Sequence, residues 1–127
     1  MRQNVSSNSP FEPLIAFSRA VRAGSSVYVS GTAPWGLDGN LVEGGVYEQA
    51  RQCIRNIEAA LRQAGSSLSD VVRTRIYVVD MDGWEDVARA HREAFAGIMP
   101  AATLVEVSRL ASSEMLVEIE ADAVIDA

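Results

Sequence analysis

Three carboxylates near the carboxyl end of the chain alternate along one face of a predicted strand. Glu118, Glu120 and Asp122 are separated by small or apolar residues in the segment 115–124. A period of two is typical of a half-buried strand. This acidic face is either an ordinary solvated sheet face or the lining of a cleft, where a carboxylate can transfer protons. The residue pattern leaves both interpretations open.

Two other reactive side chains, both present once, are interpreted as packing residues. Cys53 borders an apolar helical stripe and has no histidine nearby in sequence, which argues against a nucleophile. His91 also lies on a helical stripe, and no second histidine or cysteine stands at the spacing of metal ligands. All eleven basic residues are arginines, so Schiff-base chemistry at a lysine is excluded. We therefore expect no metal site and no cofactor.

The composition limits the class of protein and its partners. The 127 residues, 48% hydrophobic and 22% charged, predict one globular domain. A net charge of −6 without a basic cluster argues against nucleic-acid binding. No apolar run approaches the ~20 residues of a membrane span, and the polar first ten residues lack a signal-peptide core. We expect a cytoplasmic protein with no membrane partner, a flexible lead over residues 1–10 and a single domain over residues 11–127.

Two segments have the apolar periodicity of amphipathic helices. The first runs from Tyr47 to Ala64, and Gly65 fits the left-handed position that follows a helix. Its apolar stripe consists of Ala50, Ile54, Ile57, Leu61 and Ala64. The second begins at Asp82, a predicted N-cap paired with Glu85, and ends before Pro100. Its predicted buried face consists of Trp84, Val87, His91, Ala94, Phe95 and Ile98.

The first predicted strands form a hairpin near the amino terminus. Residues 15–22 are ambiguous in period, but a turn at 23–25 and a clear strand at 26–30 favour two antiparallel strands. The segment from Trp35 to Gly45 is rich in turn-forming residues and predicts a long loop, a place where compact domains often bind ligands.

The remaining strands complete one mixed sheet. Strand 71–80 is predicted to place Val72, Thr74, Ile76 and Val78 on its inner face and two arginines and a tyrosine on its outer face. Strand 100–110 is followed by strand 115–124 as its return partner. The order strand–strand–helix–strand–helix–strand–strand predicts an α+β two-layer sandwich with both helices on one face of the sheet. The other face, half apolar with charges of both signs, predicts subunit packing.

Six segments carry a resemblance to a known protein family. They are 29–34, 49–57, 78–80, 93–95, 100–110 and 117–121, with the sequence Pro-Ala-Ala-Thr-Leu-Val-Glu-Val-Ser-Arg-Leu from Pro100 to Leu110 as the most specific. In residues and order these segments resemble the YjgF/RidA (Rid) family over nearly the whole chain. The resemblance implies a chorismate-mutase-like fold and a homotrimer with small-molecule clefts between subunits. It also implies hydrolysis of reactive enamines or imines to a 2-keto acid and ammonia.

The family's functional residues carry over only in part. The resemblance implies that Glu118 positions or activates the attacking water and that Ser30, Gly31, Thr103 and Leu104 line the substrate site.

Three positions depart from the pattern of the active deaminases. Ala102 replaces the arginine that holds the substrate carboxylate, Phe17 replaces a tyrosine, and Arg89 replaces an asparagine. Alanine cannot form the two parallel hydrogen bonds by which a guanidinium binds a carboxylate. The chain therefore resembles an arginine-lacking branch of the family.

Three functions follow from this pattern. The first is a Rid-type trimer that binds or hydrolyses a labile imine or enamine. It lacks the arginine that binds the substrate carboxylate, the carboxylate clamp, and is therefore an inefficient 2-iminopropionate deaminase. The second is a genuine deaminase in which Arg73, Arg75 or Arg89 substitutes for the missing arginine. The third is a non-catalytic ligand-binding or interaction protein. Ribonuclease activity, to which older family names refer, is disfavoured by the net charge of −6.

Overall fold

The computed structural model describes residues 1–126 as one mixed sheet with helices on one face. The strands are β1 (Arg2–Val5), β2 (Ala20–Ala23), β3 (Ser26–Thr32), β4 (Val71–Val78), β5 (Ala101–Glu106) and β6 (Val117–Val124). The helices are α1 (Phe11–Ile15), α2 (Val46–Gln63) and α3 (Trp84–Phe95), with short 3-10 turns at Leu68–Asp70 and Met81–Gly83. The predicted α+β two-layer architecture is confirmed.

The strand order of the sheet is β1-β2-β3-β6-β4-β5. Only the β4–β5 pair is parallel, whereas the other neighbours are antiparallel. The predicted hairpin is confirmed, because Ala23 pairs with Ser26 across the β2–β3 turn. The prediction that β6 returns beside β5 was wrong: β6 inserts between β3 and β4. An alternating pattern identifies a strand but carries no information about its neighbours.

Helix α2 is the main support of the sheet. Its predicted stripe is buried, from Ala50 at 0% to Ile54 at 5% exposure. Gly65 follows the helix with φ +83°, the left-handed conformation that the sequence predicts. Cys53 is fully buried on α2 and its thiol lies 3.8 Å from the Val117 carbonyl oxygen. Burial raises the pKa of this thiol far above its ordinary value, so Cys53 is a packing residue.

Helix α3 differs from its predicted form in its first turn. Trp84 is 49% exposed rather than buried, and Ala90 occupies the core instead. Asp82 does not cap the helix, because the Asp80 carboxylate accepts the hydrogen bond from the Asp82 amide and a 3-10 turn precedes α3. Trp84 is the first residue of α3 and lies at the exposed end of the helix.

The inner face of β4 also differs at one end. Val71 is buried and Val72 is 41% exposed, opposite to the prediction for this part of the strand. The cause is a register shift between Val71 and Arg73 against β6, a bulge that turns one residue out of the alternation. Beyond the bulge, Thr74, Ile76 and Val78 are buried as predicted.

The first ten residues contain a strand that the sequence pattern did not predict. β1 pairs antiparallel with β2, and Val5 is buried at 3% exposure. Its other three residues are exposed, so the segment has too little apolar alternation to be recognised. The short helix α1 after it was also missed. These two elements make the outer edge of the sheet and cover the start of β2.

Candidate functional site

Glu118 lies on the face of the sheet opposite the helices, close against the backbone of Gly31. A Cβ atom built at Gly31 would stand 2.9 Å from Glu118 Oε2. The approach is possible because β3 has a register shift between Val29 and Thr32, where Ser30 and Gly31 leave the regular pairing with β6. The structure thus brings together Ser30, Gly31 and Glu118, three of the predicted site residues.

Arg19 is a member of this cluster that the sequence did not reveal. Its Nη2 donates a hydrogen bond to the Gly31 carbonyl oxygen, and its guanidinium carbon lies 5.5 Å from the centre of the Phe17 ring. Burial lowers the pKa of Arg19, while the charges of Glu12 and Glu118 raise it. Arg19 and Glu118 are 99 positions apart in the chain, so no local motif connects them.

The carboxyl group of Glu118 lies in an environment that favours its protonated form. Burial raises its pKa, Arg19 lowers it, and the neighbouring Glu120 raises it further, with a net shift upwards. A positioned carboxyl group of this kind can accept a proton from water and return it later in a reaction. This arrangement is suited to activating a water molecule.

Glu12 lies behind Arg19 as a second carboxylate. It is 8% exposed and accepts hydrogen bonds from Ser6 Oγ at 2.8 Å, from Ser7 Oγ at 2.7 Å and from the Ser7 amide at 3.1 Å. Burial raises its pKa, but the hydrogen bonds from Ser7 and Ser6 outweigh that effect and hold the pKa below its ordinary value. Glu12 is therefore a fixed negative charge next to Arg19.

Phe17 contacts Arg19 and Ser30 precedes Gly31, and both have structural partners of their own. Phe17 is half-buried and packs under the Arg19 guanidinium. The Ser30 hydroxyl donates to the Ser18 carbonyl oxygen at 2.6 Å, which ties the β3 bulge to the segment before β2. The hydroxyl proton of Ser30 is thus engaged, while its oxygen can still accept a hydrogen bond.

The predicted residues on β5 lie apart from Glu118 within one chain. Ala102 pairs with Thr74 and Leu104 with Ile76, so both belong to the helix-facing side of the sheet, whereas Thr103 belongs to the Glu118 side. β5 is the edge strand, and five of its six residues are exposed. A single chain therefore does not join Ala102 and Leu104 with Glu118.

Arg89 also lies on the helical side. Its guanidinium carbon stacks 3.5 Å from the centre of the Tyr47 ring, and its Nη2 lies 3.7 Å from Asp86 Oδ1. On the same helix, Glu93 accepts a hydrogen bond from the Tyr47 hydroxyl at 2.6 Å. Arg89 is separated from Glu118 of the same chain by the sheet.

The other two carboxylates of the acidic face share one arginine within the sheet. Arg75 Nη1 lies 3.4 Å from both Glu120 Oε1 and Asp122 Oδ2, and the Tyr77 hydroxyl donates to Glu120 at 2.8 Å. Glu120 and Asp122 are thus paired carboxylates. Among the residues described, Glu118 makes no ion pair within the sheet.

A groove of about 290 Å³ lies between α3 and β5 on the helical side. It is lined by Ile76, Val87, Ala88, His91, Arg92, Phe95, Ala96, Met99 and Leu104. His91 Nε2 is 2.9 Å from the hydroxyl of the buried Thr74, and its ring packs on Phe95. Burial lowers the pKa of His91.

In residues 1–126, no three His, Cys, Asp or Glu side chains are grouped as metal ligands. No helix in the same range is long and apolar enough to cross a membrane.

Comparisons with known proteins identify the family to which this fold belongs. The sequence profile of the family described as Endoribonuclease L-PSP matches residues 7–125. A RutC family protein of Pyrococcus horikoshii is 38% identical over 117 residues, covering 90% of each chain. The 2-iminobutanoate/2-iminopropanoate deaminase of Mus musculus is 37% identical over 111 residues, 85% of this chain and 80% of the mouse protein.

The comparison of structures gives the same result. The crystal structure of a YjgF/YER057c/UK114 family member from Mycobacterium tuberculosis matches with a TM-score of 0.91 and 46% identity, covering 98% of this chain and 100% of the other. The structure of RidA from Psychrobacter matches with a TM-score of 0.82 and 28% identity, covering 96% and 94%. The chain belongs to the YjgF/RidA/RutC family.

Proposed function

We propose that this protein hydrolyses a small imine or enamine, with Glu118 as the group that activates water, and that it lacks the usual clamp for a substrate carboxylate. The observation that carries the proposal is the Glu118 carboxyl group, held against the Gly31 backbone with a raised pKa. Family relatives named as imine deaminases support the reaction class.

In the proposed reaction, Glu118 in its carboxylate form accepts a proton from water while the oxygen adds to the imine carbon. Glu118 passes this proton to the imine nitrogen, which becomes an amine on a tetrahedral carbon that carries the new hydroxyl group. Glu118 then accepts the hydroxyl proton and donates it to the amine, the carbon–nitrogen bond breaks as the carbonyl bond forms, and ammonia leaves with a carbonyl compound as the other product. Water is the only co-reactant, and the carboxyl group returns to its starting state.

The proposed active unit is a homotrimer with its small-molecule clefts between subunits. Within one chain, Glu118 and the predicted residues Ala102 and Leu104 are on opposite faces of the sheet. The exposed edge strand β5 is available to a neighbouring subunit. A cleft between subunits would place Ala102 and Leu104 of one chain opposite Glu118 of the next, and it would complete a site that a single chain leaves open.

Ala102 determines the proposed substrate class. Ala102 supplies no cation, and Arg19 is already bonded to the Gly31 carbonyl oxygen, so the Glu118 carboxylate should repel an anionic substrate. Two like charges ~4 Å apart cost about 4 kcal/mol at an effective dielectric near 20, which is roughly three decades of affinity. We therefore propose that neutral or cationic imines are better substrates than 2-iminopropionate.

The test is release of ammonia and of the carbonyl product from 2-iminopropionate and from an uncharged imine. Turnover of the uncharged imine should exceed that of 2-iminopropionate, and Glu118→Gln should abolish both. Glu43→Gln, a change at an exposed carboxylate, is the matched control. A Glu118→Gln variant as active as the wild type would contradict the role of Glu118. Binding without any turnover would instead support the non-catalytic function.

One observation favours a second candidate, an imino-acid deaminase with a substitute arginine. Of the substitutes that the sequence offers, Arg75 is paired with two carboxylates and Arg89 is stacked on Tyr47. Arg19 is the cation that the structure places at Glu118. If 2-iminopropionate is turned over faster than the uncharged imine, and Arg19→Gln raises KM for the anion alone, this second function is correct and the first is wrong.

A further inference from the structure

Arg19 is held by two contacts and lies near a fixed negative charge. Its Nη2 is bonded to the Gly31 carbonyl oxygen, its guanidinium lies over the Phe17 ring, and the ionised Glu12 is fixed nearby by Ser6 and Ser7. Such a side chain has a defined orientation before any ligand binds. An arginine fixed by a backbone carbonyl and an aromatic ring is pre-organised, in contrast to a solvated surface arginine.

The position of this guanidinium affects Glu118 in two ways. Arg19 bonds the same Gly31 residue against which the Glu118 carboxyl group lies, so it controls the backbone that supports that group. It also carries the positive charge that interacts with Glu118 across a partly buried space. Among residues 1–126 no ion pair joins Arg19 to a carboxylate, so the interaction acts through space.

Few other ionisable groups face Glu118. On β6 the neighbouring Glu120 raises the pKa of Glu118, and on β4 Tyr77 has its hydroxyl engaged by Glu120. On α2, Cys53 is a buried thiol with a strongly raised pKa and is therefore neutral. Arg19 is thus the positive charge that opposes the effects of burial and of Glu120.

We propose that Arg19 is a positioning residue of the site: it fixes the Gly31 peptide beside Glu118 and supplies the charge that keeps the Glu118 carboxyl group able to accept a proton. Glu12, held by the serines of the amino-terminal segment, orients Arg19 in turn. The segment before β2 is then part of the site. The kinetic consequence rests on the proposed function, whereas the effect on the ionisation of Glu118 does not.

The direct test is a ¹³C NMR titration of the glutamate carboxyl carbons, in which the Glu118 signal is identified by its loss in Glu118→Gln. In Arg19→Gln, the Glu118 titration should move to higher pH, because the ionised carboxylate loses its nearby cation. Arg19→Lys keeps the charge and should titrate close to the wild type. Arg62→Gln, which removes an exposed arginine paired with Glu58 on α2, is the matched control and should change nothing.

Two outcomes overturn the proposal. The first is an unchanged Glu118 titration in folded Arg19→Gln. The second is a large upward shift in Arg19→Lys, because the retained charge would then be without effect. If Arg19→Gln fails to fold, the Glu118 titration in Arg19→Lys tests the proposal.

The kinetic readout separates positioning from substrate binding. If Arg19 positions Glu118, Arg19→Gln should move the acidic limb of the kcat/KM profile to higher pH for charged and uncharged imines alike. A rise in KM confined to anionic imines, with the acidic limb unmoved, would identify Arg19 as an anchor for anions and overturn the proposal. If Glu118→Gln retains full turnover while the NMR shift is observed, the proposed function fails and the role of Arg19 in ionisation stands.

Discussion

At Gly31 the missing side chain is what allows Glu118 to occupy its position. A Cβ atom there would lie 2.9 Å from Glu118 Oε2, closer than Cβ atoms come to other heavy atoms, and 3.1 Å from its Cδ. Because the carboxyl tip of a glutamate is flexible, it would move aside at little cost to the fold. Glycine is therefore required here for the geometry of the site more than for the backbone.

The change Gly31→Ala should displace the Glu118 carboxyl group and leave the protein folded. We expect kcat/KM to fall about 10²-fold, since a misplacement of ~1 Å in a catalytic group has effects of this size. The free energy of unfolding should change by less than about 1 kcal/mol, a typical limit for a side-chain adjustment. Gly97→Ala, where no atom lies within 4 Å of the added carbon, is the control. Wild-type kinetics in Gly31→Ala would show that Glu118 does not need this position.

The change Ala102→Arg tests whether the absent clamp determines the substrate. A guanidinium that bonds a carboxylate contributes about 1.5–3 kcal/mol, so kcat/KM for 2-iminopropionate should rise roughly tenfold to a hundredfold. Turnover of an uncharged imine should not improve. Ala101→Arg, one residue away on the opposite side of β5, controls for added charge. An equal gain in both variants would show that general charge, and not this position, is responsible.

Glu12 should contribute to stability in a pH-dependent way. Its folded pKa is lowered below the unfolded value of about 4.3, so its contribution is present above that pH and is lost as the pH falls through the folded pKa. Glu12→Gln should cost about 1–2 kcal/mol at pH 7, because charge-assisted hydrogen bonds from Ser6 and Ser7 are weakened. Urea unfolding of both proteins should give this difference at pH 7 and a smaller one below about pH 4. A difference independent of pH would be contrary to this account.

At the level of elements, strand bulges and helix ends determine the directions in which nearby side chains point. The bulge in β3 releases Ser30 and Gly31 from the ladder, and the bulge in β4 exposes Val72. Helix α2 is ended by Gly65 in the left-handed conformation, beside Arg22, whose Nη1 donates to the Ala64 carbonyl oxygen at 2.9 Å. This bond ties the end of α2 to β2, the strand that follows Arg19.

The change Gly65→Ala should destabilise the protein by about 1–2 kcal/mol, the cost of a left-handed conformation for a residue with a Cβ atom. The added carbon would also meet Arg22 Nη1 at 2.7 Å and strain its bond to Ala64. Gly24→Ala is the matched control, with φ +63° and no atom within 4 Å of the added carbon. It is therefore destabilised only by the left-handed backbone conformation. Thermal unfolding should rank Gly65→Ala as the less stable variant, and the reverse order would exclude the Arg22 contact as a cause.

At the level of the whole molecule, the sheet face opposite the helices is left without a covering layer. It combines paired charges with exposed apolar and aromatic groups, including Tyr28 at 52% and Val105 at 38% exposure. Edge strand β5 is exposed along most of its length. An uncovered sheet face and edge of this kind are features that soluble proteins usually bury in an assembly.

The change Val105→Asp should disrupt the proposed trimer, since it places an unpaired charge on this face. Analytical ultracentrifugation should show a trimer for the wild type and a smaller species for the variant, with loss of imine hydrolysis in parallel. Leu37→Asp is the control because Leu37 is fully exposed in the loop between β3 and α2. A monomeric wild type would contradict the proposed active unit, and a trimeric Val105→Asp would remove Val105 from the interface.

Local patterns predicted much of the fold. The stripe of α2 placed that helix within one residue at each end, because burial of one helical face imposes a period of 3.6. The alternation of β6 likewise assigned its inner face correctly. β1 was missed because only Val5 of its four residues is buried. Glu118, Gly31 and Ser30 were identified as neighbours only through the resemblance to a family.

What the sequence by itself determined is the type of each main element and which of its faces is buried, since both follow from spacings within one segment. Only the tertiary structure decided that β6 lies between β3 and β4, and that Arg19 lies near both Glu118 and Glu12. Strand neighbours and through-space charge interactions depend on the register between segments that are far apart in the chain. Local periodicity does not determine that register.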